Sequence, residues 1–152
     1  MIGAKRKRNW KVLLIICDIT IGLLAASTHL GLAGFPAKRI LSGSMEPAIS
    51  VDDVVLVSEH TDFCEIGPGD IIAYRTDGGL YVVHRVIEKQ EDGLVTKGDR
   101  VEKQDGNPVT REAYAGKVIH IIRNGGRLYD MMDSAGFRIL ACILMILTVL
   151  WL

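Results

Sequence analysis

Charge of one sign is what this sequence lacks most plainly: 18 Lys and Arg offset 18 Asp and Glu, and the formal net charge is zero. Without a basic surplus, a nucleic-acid partner is not expected. Cysteine is scarce too. Of three cysteines, Cys17 and Cys142 lie in apolar ends and Cys64 stands alone in the polar middle, which excludes a disulfide framework. The histidines His29, His60, His84 and His120 are far apart, and no Cys/His pair has zinc-ligand spacing, so no metal site is expected. Repeats, heptads and low-complexity tracts are absent, and 152 residues leave room for one domain.

The balanced total conceals a polarity along the chain, because both ends are apolar and the middle carries most of the charge. Lys5-Arg6-Lys7-Arg8 precedes Trp10 and Lys11, and an apolar run then extends from Val12 to Phe35. That run approximates the ~20 residues a helix needs to cross a bilayer. A basic cluster before it predicts a cytoplasmic N-terminus over 1–11 and a transmembrane anchor over 12–35, with Trp10 at the interface. A removable signal peptide is the alternative, with Ala25, Ala26 or Ala33 near a cleavage point. The run exceeds the usual apolar stretch of about 7–15 residues, which favours the uncleaved anchor. Asp18 is costly at membrane depth unless it lies near the cytoplasmic end and reaches the headgroups. Phe137 to Leu152 is apolar again and uninterrupted after Arg138. It is short for a full span, and a tilted or locally thinned crossing over 137–152 is expected rather than a buried core helix.

Between the ends, 36–136 reads as a β-rich domain. Val54–Val57 is a short apolar run of strand type, followed by Asp70–Arg75 and Leu80–Ile87, which Thr76-Asp77-Gly78-Gly79 joins as a hairpin. Asp92-Gly93 turns the chain into Leu94–Lys97, and a last strand covers Lys117–Ile122 before Asn124-Gly125-Gly126. Short strands with Gly-containing turns predict a mainly β fold, a small antiparallel β-sheet or barrel flanked by N-terminal and C-terminal transmembrane helices.

Ser42-Gly43-Ser44 opens this domain, and a serine beside glycine on a turn presents its hydroxyl freely, with Pro47 stiffening the backbone just beyond it. By itself the tripeptide is ordinary loop chemistry. A nucleophilic serine needs a base. Period-two alternation puts His84 on the face of Val82 and Val86, where a histidine serves either as a satisfied core residue or as a neutral general base. Asp99 ends the next strand in Lys97-Gly98-Asp99, and Asp105 comes six residues later. Either carboxylate could reach back to orient His84, or both are solvated turn residues. Asp52, Asp53, Asp62 and Asp70 sit in turn-like contexts that suit structural roles.

In combination and in order, these segments resemble the type I signal peptidase family, in the branch of the endoplasmic reticulum, archaea and some Gram-positive bacteria. The resemblance covers nearly the whole chain: the basic anchor, Ser-Gly-Ser-Met-Glu-Pro at 42–47, Gly69-Asp70-Ile71-Ile72, Val83-His84-Arg85-Val86, Thr96-Lys97-Gly98-Asp99 and Ala115-Gly116-Lys117-Val118. It implies Ser44 as nucleophile, with the Ser42 side chain and the Ser44 backbone N–H as oxyanion donors. His84 stands where the commoner bacterial enzymes carry lysine, so a Ser-Lys dyad would need Lys89 or Lys97 from another position. Asp105 matches the third catalytic member and Asp99 a second important carboxylate. Arg100 replaces the asparagine usual after Lys-Gly-Asp, and its charge could pair with either acid, which leaves the order of the two open.

The resemblance further implies a serine endopeptidase at the plasma membrane, its peptidase domain outside the cytoplasm. It would remove signal peptides from secretory pre-proteins, with the lipid bilayer as its second partner and no cofactor; accessory subunits are not indicated either way. The rivals are a non-catalytic membrane-anchored β-domain scaffold in a secretion or assembly complex, and a self-cleaving regulatory protease of related fold.

Overall fold

The computed structural model describes residues 35–151 and, before them, Ile19 alone. The N-terminus at 1–11 and the rest of the expected anchor lie outside the described residues, and with them Trp10, Cys17, Asp18 and His29. The chain divides into two compact units, one ending at Tyr129 and the other taking in Asp130 onward.

The first unit is one antiparallel sheet. Its strands are β1 (Ala37–Arg39), β2 (Val54–Ser58), β3 (Ile71–Arg75), β4 (Tyr81–Lys89), β5 (Leu94–Lys97) and β6 (Tyr114–Ile122). They are ordered β1-β2-β6-β3-β4-β5, so β1 and β5 are edges and the sheet does not follow the barrel alternative. The last strand in sequence is inserted between β2 and β3. The hairpin expected at 76–79 forms: the Thr76 N–H donates to the Leu80 carbonyl at 2.9 Å, and Gly79 adopts φ +77°. Two features were not foreseen. β1 is Ala-Lys-Arg and has no strand signature of its own; it forms by pairing Ala37, Lys38 and Arg39 with Leu56, Val55 and Val54. β6 starts three residues before the expected Lys117, because Tyr114 pairs with Tyr74 and Gly116 with Ala73 around a bulge.

Alternation along the strands serves two cores. Ala73 and Val83 join Ile40, Met45, Ile49, Val55 and Val57 in the first. Ile72, Tyr74 and Val86 join Ile66, Leu94 and Val109 in the second. Each fully buried Val, Leu or Ile contributes about 1.5–3 kcal/mol, so these clusters set the sheet's register. Asp53 is the one buried carboxylate among the described residues, at 1% exposure. It accepts from the Ser50 N–H (2.9 Å), the Asn124 N–H (2.9 Å) and the Arg123 guanidinium (2.8 Å). Burial raises its pKa, but these donors outweigh burial and hold it below the usual carboxylate range. Asp62 caps the 3₁₀ turn Phe63–Glu65 by accepting the Cys64 N–H at 2.7 Å.

Two helices complete the described chain, α1 (Gly126–Asp133) and α2 (Ala135–Trp151). Ser134 separates them and caps α2, its hydroxyl accepting the Phe137 N–H at 3.2 Å. The apolar run expected from residue 137 is thus helical and begins two residues earlier. No single described helix is long and apolar enough to cross a membrane; α1 and α2, bent by 59°, meet the length and composition requirement only as a pair.

Gly116 is the position where the fold tolerates least. Its φ is +142°, and a Cβ there would lie 2.5 Å from the Ser58 carbonyl oxygen and 2.7 Å from Val57 Cγ1. Backbone strain and overpacking then act together, and Gly116→Ala is expected to lower unfolding stability by about 2–4 kcal/mol. Denaturant titration of the two proteins checks this.

Candidate active site

Ser44 lies on the turn after β1. The turn closes through the Glu46 N–H to the Gly43 carbonyl (3.1 Å) and the Ile49 N–H to the Met45 carbonyl (2.9 Å). Met45 and Ile49 are buried in the first core and hold the turn down, while Ser42 stays exposed and Ser44 half-buried. His84 is on β4, on the face shared with Val82 and Val86, opposite Ile72. Asp105 lies in the connection after β5, where its N–H donates to the Thr96 carbonyl at 2.8 Å.

The fold brings these three side chains into one line. Ser44 Oγ is 3.1 Å from His84 Nε2, and His84 Nδ1 is 2.7 Å from Asp105 Oδ2. An ionised carboxylate only accepts, so Nδ1 carries the proton in the neutral ring and Nε2 is left to accept from the serine hydroxyl. Ser42 Oγ stands 3.4 Å from Ser44 Oγ, adjacent but longer than a usual O–H···O bond.

Asp99 takes a different place. Arg85 Nε donates to its Oδ1 (2.8 Å) and Arg85 Nη2 to its Oδ2 (2.7 Å), a bidentate pair, while Arg85 Nη1 reaches the Gly69 carbonyl at 2.8 Å. The Arg85 hydrogen bonds hold the Asp99 carboxyl below its ordinary range against some desolvation. Arg100 pairs with neither Asp99 nor Asp105. Its guanidinium bonds the Glu46 carboxylate, and its N–H donates to the Ser44 carbonyl at 2.9 Å. Lys89 donates to the carbonyls of Cys64 (2.7 Å) and Ile66 (3.1 Å). Among the described residues no cluster of His, Cys, Asp and Glu is arranged for a metal ion.

Three neighbours of the line did not stand out in the sequence. Tyr74 OH and Thr96 Oγ1 both donate to Asp105 Oδ2, at 2.9 and 2.5 Å. Tyr74 pairs with Val82 and Thr96 with Val86, so both share the sheet face of His84, one step to either side. Only the register carries that signal. Gly98 is the third: a Cβ on it would lie 2.6 Å from the Ser44 carbonyl oxygen and 3.1 Å from His84 Nε2. The glycine is what allows the 98–100 turn to lie against the serine.

No family model matches the chain. It is 33% identical over 105 residues to Signal peptidase I W of Bacillus subtilis, covering 66% of this chain and 55% of that protein. Over 109 residues it is 33% identical to Signal peptidase complex catalytic subunit sec11 of Neurospora crassa, covering 67% and 60%. The Saccharomyces cerevisiae SEC11 subunit matches at 33% over 92 residues, covering 57% and 51%. This chain is a signal peptidase homologue. It spans between half and three-fifths of the length of these curated relatives.

Within this signal peptidase homologue, Gly98→Ala is expected to displace the Ser44 turn and open the 3.1 Å Ser44–His84 contact while leaving the sheet folded. Circular dichroism for the sheet, beside NMR of the His84 ring, separates the two effects. Asp99 yields a pH signature. Its folded pKa is depressed, so its stabilisation is present above the unfolded value of about 3.9 and is lost as pH falls through the lower folded value. Asp99→Asn should therefore be less stable than wild type at pH 7. The gap should close progressively below about pH 4, as thermal unfolding across pH will show.

Proposed function

We propose that this chain is a membrane-anchored serine endopeptidase that removes signal peptides from secretory pre-proteins outside the cytoplasm. Ser44 is the nucleophile, His84 the general base and Asp105 the carboxylate that orients it. The observation that carries this reading is the continuous line from Ser44 Oγ through His84 to Asp105, at 3.1 and 2.7 Å. The names of the relatives, a signal peptidase and two catalytic subunits of signal peptidase complexes, supply the substrate class.

Each step derives from the chemistry of the line. As Ser44 Oγ attacks the scissile carbonyl carbon, its proton passes to His84 Nε2, and the ring becomes an imidazolium stabilised by the Asp105 charge. The Ser44 backbone N–H and the Ser42 hydroxyl are the oxyanion donors in this reading, each worth roughly 10²–10³ in rate. His84 then returns the proton to the leaving amine, and water repeats the cycle on the acyl-enzyme. Asp99 serves as a strut, tying β4 through Arg85 to the turn that carries Gly98.

The bilayer enters through the sequence. Lys5–Arg8 before the apolar 12–35 run supports an anchor with its N-terminus in the cytoplasm, and the α1–α2 pair supports a second membrane contact. Such tethering holds the serine near the surface from which a substrate's signal segment emerges. Accessory subunits are compatible with the naming of the sec11 relatives as parts of a complex.

The test is processing of a secretory precursor with a small-x-small segment by the full chain in detergent or vesicles. Ser44→Ala, His84→Ala and Asp105→Asn are each expected to slow cleavage roughly 10³-fold or more, and Asp99→Asn far less. Wild-type cleavage by Ser44→Ala sinks the reading and leaves the scaffold alternative.

A further inference from the structure

Asp105 belongs to no strand, yet its carboxylate is more heavily bonded than the proposed relay needs. Oδ2 alone meets three donors: His84 Nδ1 at 2.7 Å, Tyr74 OH at 2.9 Å and Thr96 Oγ1 at 2.5 Å. Thr96 is fully buried and Tyr74 is 7% exposed. The surrounding connection is otherwise open to solvent, with Val101, Glu102, Lys103, Gln104, Gly106 and Asn107 all exposed. A carboxylate on such a segment would spend part of its time hydrated and turned from the ring.

We propose that Tyr74 and Thr96 are positioning residues, a pair of hydroxyls that clamps Asp105 Oδ2 against the Nδ1–H of His84. The inference rests on the reading of Ser44, His84 and Asp105 as a catalytic line. It goes beyond that reading by assigning the third member's geometry to two side chains on neighbouring strands. Tyr74 on β3 and Thr96 on β5 flank β4, so the carboxylate is held from both sides of the strand that carries the histidine. The two hydroxyls meet at Asp105, and Thr96 Oγ1 also lies 3.5 Å from Tyr74 OH, so they act on the carboxylate and on each other. The phenol remains a donor throughout the working pH range. Burial above all, with the Asp105 charge adding to it and Thr96 opposing, pushes Tyr74 up to about 12. Hydrogen bonds to a charged acceptor are the stronger kind, so losing one loosens the carboxylate without emptying the core.

Tyr74→Phe and Thr96→Val each delete one hydroxyl and keep the shape. In precursor processing by the full chain, each is expected to lower kcat roughly threefold to thirtyfold with KM changed less than about twofold. Thr96→Ser, which keeps the hydroxyl, should stay within about twofold of wild type. In an Asp105→Asn background the same deletions should cost little more, because they act through the missing carboxylate. The low-field proton resonance of His84 Nδ1, read by NMR on the folded proteins, should shift in both single variants. A Tyr74→Phe, Thr96→Val double variant with wild-type kcat and an unmoved resonance overturns the clamp. So do losses of full size in the Asp105→Asn background. If Ser44→Ala itself cleaves at the wild-type rate, the catalytic reading has failed, and the resonance alone then decides whether the clamp exists.

Discussion

β6 is hydrogen-bonded to β2 along one edge and to β3 along the other, and among the described residues no other strand joins the two halves of the sheet. On one side stands β1–β2 with the turn that carries Ser44. On the other stands the β3–β4–β5 meander with His84 and the connection to Asp105. Ser44 and His84 therefore come from opposite sides of a seam that closes only when the last strand inserts. The first core reinforces that closure, because it takes Met45 and Ile49 from the serine turn and Ala73 and Val83 from the meander. The strain that makes Gly116 obligatory belongs to the same seam: its missing Cβ lets β6 lie against Ser58 at the end of β2 while bulging past β3.

A second joint lies at the site itself. The turn at 98–100 meets the serine turn through the Arg100 N–H and the Ser44 carbonyl, and the absence of a side chain on Gly98 sets how close they come. Arg85 secures the same turn from behind by gripping Asp99. The two acids in this stretch thus divide their work by environment. Asp99 is committed to a guanidinium in a structural pair. Asp105 instead meets the hydroxyls of Tyr74 and Thr96 and the imidazole of His84. A carboxylate neutralised by arginine is a poor partner for a developing imidazolium.

Much of this was legible residue by residue. The runs at 54–57, 70–75, 80–87 and 94–97 and the turns at 76–79 and 92–93 became strands and turns as their patterns indicated, with β3 and β4 each starting one residue later and β4 running on to Lys89. Period-two alternation put His84 on the Val82/Val86 face, where it is found. β1 escaped because Ala-Lys-Arg is a strand only by virtue of its partner. Arg100 escaped because a charge flanked by Asp99 and near Asp105 in sequence points to either of them, whereas the turn directs it to Glu46. Tyr74 and Thr96 entered the sequence reading only as members of the segments 70–75 and 94–99. Their hydroxyls became meaningful only when the pairing of β3, β4 and β5 set them on either side of one carboxylate.

Taken alone, the sequence determined the strands β2 to β5, the apolar ends, the order of the chemically able residues and the short list that includes Ser44, His84, Asp99 and Asp105. It determined neither β1 nor the helix Gly126–Asp133 within the stretch read as β-rich. The features it did determine are local: periodicity, turn chemistry and the ionisation of side chains are written within a few neighbouring residues. Tertiary structure decided which acid faces the imidazole, where β6 enters the sheet, and how the serine turn docks. Each of these turns on distances between segments 20 to 70 residues apart, set by strand register and close backbone approach, as in the Ser44–His84 contact across 40 positions and the Asp53–Arg123 pair across 70.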